Sequence, residues 1–296
     1  MKKLWRSGEP FIWLTGGALA LALIMVAGLI GIILVNALGF FWPADVVRAT
    51  LTDGSTLTGH VVDRERVPGT EDQSRLKLKV GNRDLYGGAD FVWVDEAVIA
   101  RRDDPPTIAV VERTEWGLLI GTLTEVRWQD TTVARGPEAS WAEVRRRLPE
   151  VTRVRREIRR IETGEIGGIN HAQEQIRLRM RGYEQAGVTG GPAVETLRQE
   201  FERLQARYDA AAARLAALRT RQTETLVVSA DGGKTKELPL AQVIDVYFPN
   251  AMGVPAKSAH YVAKVWEFVS DDPRESNTEG GVFPAIFGTV MLVMIM

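Results

Sequence analysis

The sequence predicts a membrane α-helical protein with an exported α+β body. A signal-anchor helix comes first, then a discontinuous small antiparallel β barrel or sandwich interrupted by an antiparallel coiled-coil hairpin, then the start of a second transmembrane helix. Three patterns predict it. Residues 10–44 and 280–296 carry no Asp, Glu, Lys or Arg. Between them, over 45–139 and 223–252, short β-branched runs alternate with turn pairs. Residues 140–222 instead favour Ala, Arg, Glu, Leu and Gln, a helical composition.

Residues 1–9 read as a cytoplasmic N-terminus and 10–44 as the anchor. At about 1.5 Å rise per residue, roughly 20 apolar residues cross a ~30 Å hydrocarbon core. The run FIWLTGGALALALIMVAGLIGIILVNALGFF is about twice the ~7–15 apolar residues of a cleavable signal peptide, so it is expected to remain. Lys2, Lys3 and Arg6 precede it, and Asp45 comes ahead of Arg48 after it. The positive-inside bias then places the N-terminus in the cytoplasm and residues 45–279 outside. Trp5, Trp13 and Trp42 stand where indoles favour the interfaces. Gly28, Gly31 and Ala27 could admit a neighbouring helix, although glycine is common in membrane helices.

Within 45–139, hairpins are signalled by Asp53-Gly54, by Gly81-Asn82 and by the turn around Trp116, for about six strands. The same grammar resumes in 223–252 around Asp231-Gly232-Gly233, so the later strands are expected to pair back onto the first.

In 140–222, Val194, Leu197, Phe201, Leu204, Tyr208, Ala211, Leu215 and Leu218 step alternately by three and four, a coiled-coil seam. Val151, Val154, Ile158 and Ile161 keep that spacing, the glycines near Gly167 weaken it, and Ile176, Met180 and Tyr183 restore it. Gly187 to Pro192 permits a reversal. Arg145, Arg146, Arg147, Arg153, Arg155, Arg156, Arg159 and Arg160 cluster on the first arm. They read chiefly as a solvated face whose guanidinium groups meet glutamates, with an anionic docking surface as the alternative.

Composition narrows the chemistry. With 37 Lys plus Arg against 38 Asp plus Glu there is no cationic field to attract nucleic acid. Zero cysteines exclude disulfides, thiol nucleophiles and cysteine-ligated clusters. Gly232-Gly233-Lys234-Thr235 imitates the end of a phosphate-binding loop, but Val228 stands where that loop needs glycine, so a hairpin turn is expected. His60, His171 and His260 lack ligand spacing, and the pairs Asp103-Asp104 and Asp271-Asp272 read as solvated loops. No catalytic constellation, metal or cofactor is expected.

Residues 253–279 are expected to form an amphipathic juxtamembrane helix and linker, with Tyr261, Val265, Phe268 and Val269 on the face toward the membrane lipid. A soluble core helix is the competing reading. Residues 280–296 cover about 25 Å, slightly short of a crossing, and the chain is expected to be an N-terminal fragment whose second span is interrupted.

Here the residues resemble a family. WEFVSDDPRESNTEGGVFPAIFGT, ending in Gly280, Gly281, Ala285, Gly288 and Thr289, is similar to the start of the permease core in the PstA family of phosphate ABC transporter subunits, and the order of parts matches the longer proteobacterial members. The resemblance implies a multi-pass inner-membrane permease subunit for inorganic phosphate without a catalytic site of its own. It would pair with a second permease, PstC, above the ATPase PstB, and receive phosphate from the periplasmic binding protein PstS. Pathway residues would lie beyond Met296, so none is carried over. The alternative is a non-transporting, signal-anchored envelope adaptor with a periplasmic β and coiled-coil interaction domain.

Overall fold

A computed structural model describes residues 9–67, 69, 73–129, 131–271, 281 and 283–295. The chain divides into two compact units. Among the described residues, one gathers the two ends, up to Ala44 and from Met252 onward; the other is Asp45–Ala251.

The Asp45–Ala251 unit holds two antiparallel sheets. The first uses β1 (Val46–Leu51), β2 (Thr56–Arg66), β3 (Ser74–Lys79), β4 (Phe91–Asp95) and β5 (Ile99–Asp103) in the order β4-β3-β2-β1-β5. The second uses β6 (Ala109–Arg113), β7 (Leu119–Trp128), β9 (Glu224–Ser229), β10 (Thr235–Pro239) and β11 (Val243–Tyr247) in the order β10-β9-β7-β6-β11. β8 (Thr131–Arg135) pairs with β7. The discontinuity is therefore confined to the second sheet, and the first is built from one continuous stretch.

The two sheets are one arrangement used twice. Val47 faces Gly59 across β1 and β2, as Ala109 faces Gly121 across β6 and β7. His60 faces Lys79, as Thr122 faces Ser229. Leu76 faces Val94, as Leu226 faces Leu238. A register shift follows Val61 in β2 and recurs after Leu123 in β7. In each copy a single 3-10 turn, Glu96–Val98 or Leu240–Gln242, leads into the last strand, which returns to pair with the first. The two glycines share one role. A Cβ on Gly59 would lie 2.5 Å from the Lys79 carbonyl oxygen, and one on Gly121 would run into the Ser229 carbonyl.

Each sheet has its own core: Leu78, Val80 and Val94 in the first, and Leu119, Leu123, Val126, Leu226, Leu238 and Val246 among others in the second. Val46, Ile108, Val110 and Ile120 pack between the copies. Polar contacts there are reciprocal. After β3, the Asn82 amide accepts from the Ile120 N–H at 2.7 Å and donates to the Ile120 carbonyl at 2.9 Å. After β9, the Asp231 carboxylate accepts from the Thr58 N–H at 2.5 Å and the Thr58 hydroxyl at 2.8 Å. Thr58 and Ile120 occupy the same register position in their copies. Asn250 then ties the two ends of the unit together: Val46 N–H donates to its Oδ1 at 2.8 Å, and its Nδ2 donates to the Val46 carbonyl at 2.7 Å and the Pro105 carbonyl at 3.0 Å.

The second copy carries a helical insertion between β7 and β9. α2 (Pro137–Arg159) begins with proline at its first position, where a missing N–H costs nothing. It lies on the second sheet, with Val144 and Val151 in that core and Trp141 edge-on to Phe248 at 5.4 Å. The weak point near Gly167 is not a break: Arg160–Ile166 winds as a π-helix and runs straight into α3 (Gly167–Gln185). α4 (Pro192–Thr220) returns antiparallel, as its cross-arm bonds establish. Gln173 Nε2 donates to Gln205 Oε1 at 3.1 Å, while Arg214 meets Glu165 and Arg219 meets Glu162, each at 2.6 Å. Ile161, Ile169, Ile176, Val194, Leu197 and Ala211 are buried along these arms.

In the other unit, α1 (Glu9–Gly39) contains Trp13–Asn36, 24 residues of mean hydropathy 3.0. Among the described residues it is the helix long and apolar enough to cross a membrane. α5 (Val254–Ser270) and α6 (Phe283–Ile295, 13 residues) follow.

Candidate functional site

The segment singled out by the sequence opens α6. Gly281 lies just ahead of that helix and is buried, and a Cβ there would run into the backbone carbonyl of Asp271, the residue that closes α5. Asp271 in turn donates its N–H to the Glu267 carbonyl at 2.8 Å. Only glycine lets the two helix ends meet this closely. Ala285, Gly288 and Thr289 follow within α6 at spacings that place them on one side of the helix. Gly288 has open space where a Cβ would stand, and Phe287, Val290, Met291 and Leu292 beside it are exposed. A small-residue side on an apolar helix is suited to close packing against another helix in lipid. Gly280 lies outside the described residues.

No family model, curated protein or solved structure matches this chain.

The remaining candidates fall on separate elements. His60 is buried in β2 with Nδ1 3.3 Å from the Asp45 carbonyl oxygen, His171 is exposed on α3, and His260 is half-buried on α5. Gly232 and Gly233 both take positive φ in the turn joining antiparallel β9 and β10. Lys234 beside them donates to the Leu85 carbonyl at 3.0 Å and stands over the Tyr86 ring at 4.7 Å. That loop is a bridge between the two copies, not the start of a helix. Asp103 ends β5, and Asp272 lies outside the described residues.

Part of the arginine-rich arm is compensated by its own glutamates. Arg146 and Arg147 both donate to Glu143, Arg153 pairs with Glu150 at 2.9 Å, and Arg155 donates to the Val243 carbonyl at 2.6 Å. Hydrogen bonding from Arg146 leads in drawing the Glu143 carboxyl from 4.5 down to about 2, with Arg147 adding to it against the opposing effect of burial. The sign follows. A carboxyl whose folded pKa is depressed stabilises the fold above its unfolded value and loses that contribution as pH falls through the folded one. The melting temperature should therefore hold steady down to about pH 4.5 and decline toward pH 2, and Glu143→Gln should flatten part of the decline. Equal melting temperatures at pH 6 and pH 2.5 would remove this account.

Sequence reasoning missed the buried charges between the copies. Arg113 is 1% exposed and Asp84 7% at their side chains; they pair at 3.0 Å, and Lys236 reaches the same carboxylate at 2.8 Å. Burial pushes the Asp84 carboxyl up, but Arg113 and Lys236 together outweigh it and hold the carboxyl below its ordinary value. Arg113 also donates to the Gly117 and Trp116 carbonyls, both at 3.0 Å. Trp116, which this arginine braces, has φ 69 at the register position where the first copy has Gly54 with φ 83. A non-glycine residue there is strained, and this one is 56% exposed. In the sequence both Asp84 and Arg113 look like ordinary surface charges.

Proposed function

We propose that this chain belongs to a PstA-type permease subunit, part of an ATP-driven importer of inorganic phosphate in the bacterial inner membrane. The observation that carries the reading is the glycine-marked segment Gly281 to Thr289, which leads from the close of α5 into an apolar helix. Support comes from the order of parts: an apolar helix of membrane-crossing length, a large folded unit, then that segment. In this reading Lys2, Lys3 and Arg6 hold the N-terminus in the cytoplasm, and Asp45–Ala251 stands in the periplasm with its two helical arms as a coiled-coil hairpin. Phosphate is delivered by a PstS-type binding protein and passes between this subunit and a PstC-type permease. A PstB-type partner hydrolyses ATP, and this subunit contributes no catalytic residue.

The test is affinity purification of the complete gene product from detergent-solubilised membranes of its host, paired with uptake of radiolabelled phosphate. Co-purification of an ATPase and a second permease is expected, with uptake falling to background on gene deletion and returning on complementation. Purification without an ATPase, or unchanged uptake, would replace this reading by the envelope adaptor, for which the paired sheets and projecting arms supply the interaction surfaces.

A further inference from the structure

We propose that α5 lies along the outer membrane interface with Val262, Trp266 and Val269 against the acyl chains, and that Tyr261 and Phe268 serve instead to weld it to the end of α1. The inference rests on α1 crossing the bilayer.

Tyr261, Val265, Phe268 and Val269 are the apolar set that helical spacing picks out. Two of them already have partners: Phe268 packs on Phe41 with ring centroids 5.0 Å apart, and Tyr261 on Trp42 at 6.0 Å. Phe41 and Trp42 come directly after the apolar stretch of α1, so α5 is fixed where that helix leaves the hydrocarbon. At about 100° per residue, Val262, Trp266 and Val269 fall within roughly 60° of arc, next to the welded residues. They are 64%, 71% and 44% exposed. The far side of the helix carries the Lys264–Glu267 ion pair at 2.9 Å and His260.

The occupant follows from continuity. The free stripe extends the apolar surface of α1 through the Phe41 and Trp42 contacts, and a bilayer is what covers that surface. Trp266 joins Trp42, also exposed, at the level where indole rings are most stable, with an apolar body in the chains and an N–H among headgroups. A helix with one apolar arc and an ion-paired opposite side is the kind that lies in the interface plane.

The absence of cysteine makes the experiment clean, because a single introduced thiol is the only one present. Val262→Cys, Val269→Cys, Ala256→Cys and Met25→Cys variants of the whole chain are spin-labelled and reconstituted into liposomes of phosphatidylethanolamine and phosphatidylglycerol. Collision rates with oxygen and with a water-soluble nickel chelate are then measured. Labels at 262 and 269 should favour oxygen over nickel several-fold more than the label at 256, which lies on the exposed polar side, and the label at 25 should be the deepest. Nickel accessibility at 262 and 269 matching 256, with 25 still deep, would overturn the lipid assignment and leave the stripe to a soluble partner. Shallow labels at all four positions would overturn the membrane reading of α1 along with it.

Discussion

Asp84→Ala is expected to be the most damaging single substitution in the two-sheet unit, lowering its melting temperature by on the order of 10 °C. The Arg113 guanidinium is sealed between the copies with bonds to two turn carbonyls and to Asp84. Removing the carboxylate leaves that charge buried, with Lys236 beside it, and breaking a buried pair from one side typically costs about 3–5 kcal/mol. An exposed pair offers the contrast. Glu237 meets Arg127 at 2.6 Å but is 61% exposed at its side chain, so Glu237→Ala should cost at most about 1 kcal/mol. Thermal unfolding of the purified chain, followed by circular dichroism, measures both. If the two variants melt together, the buried pair does not hold the copies.

Gly59→Ala and Gly121→Ala are expected to destabilise by similar amounts, about 1–3 kcal/mol each or more. Each places a methyl group against a backbone carbonyl at the end of the third strand of its copy, and a carbonyl in a sheet ladder cannot swing aside. Gly168→Ala is the counter-case. It sits in α3 with open space at its Cβ, where alanine favours the helix by up to about 1 kcal/mol. Chemical denaturation of the three variants checks the pattern. A tolerated alanine at one of the two strand positions and not the other would mean that the copies share a register but not a packing constraint.

Local structure was legible because its causes are local. Asp53-Gly54 and Asp231-Gly232-Gly233 mark reversals that need positive φ, and the structure turns at both. The apolar spacing of α4 places Val194, Leu197 and Ala211 inward. Which strands belong to which sheet was not legible, since β11 returns to β6 across the whole helical insertion and no neighbour in sequence specifies that pairing. The duplication escaped notice for a related reason. The copies preserve strand register, a shifted pairing and one glycine each, while Val47 stands against Ala109 and His60 against Thr122. The spacing of Val144 and Val151 suits a partner helix as well as a sheet, and it was the sheet that they met. At the candidate site, the glycines could be seen, but the reason for Gly281, the carbonyl of Asp271 pressed against it, lies in tertiary contact.

The Asn250 tie has a topological consequence. Because one side chain holds the first strand against the last turn of the unit, Asp45 and Ala251 form a single narrow neck. A body with such a neck can be gained, lost or exchanged during evolution as a self-contained cassette, since a short loop spans the gap it leaves. The same neck means that pulling the two flanks apart loads the Asn250 bonds and the end of β1 together, since Val46 is itself the first residue of that strand.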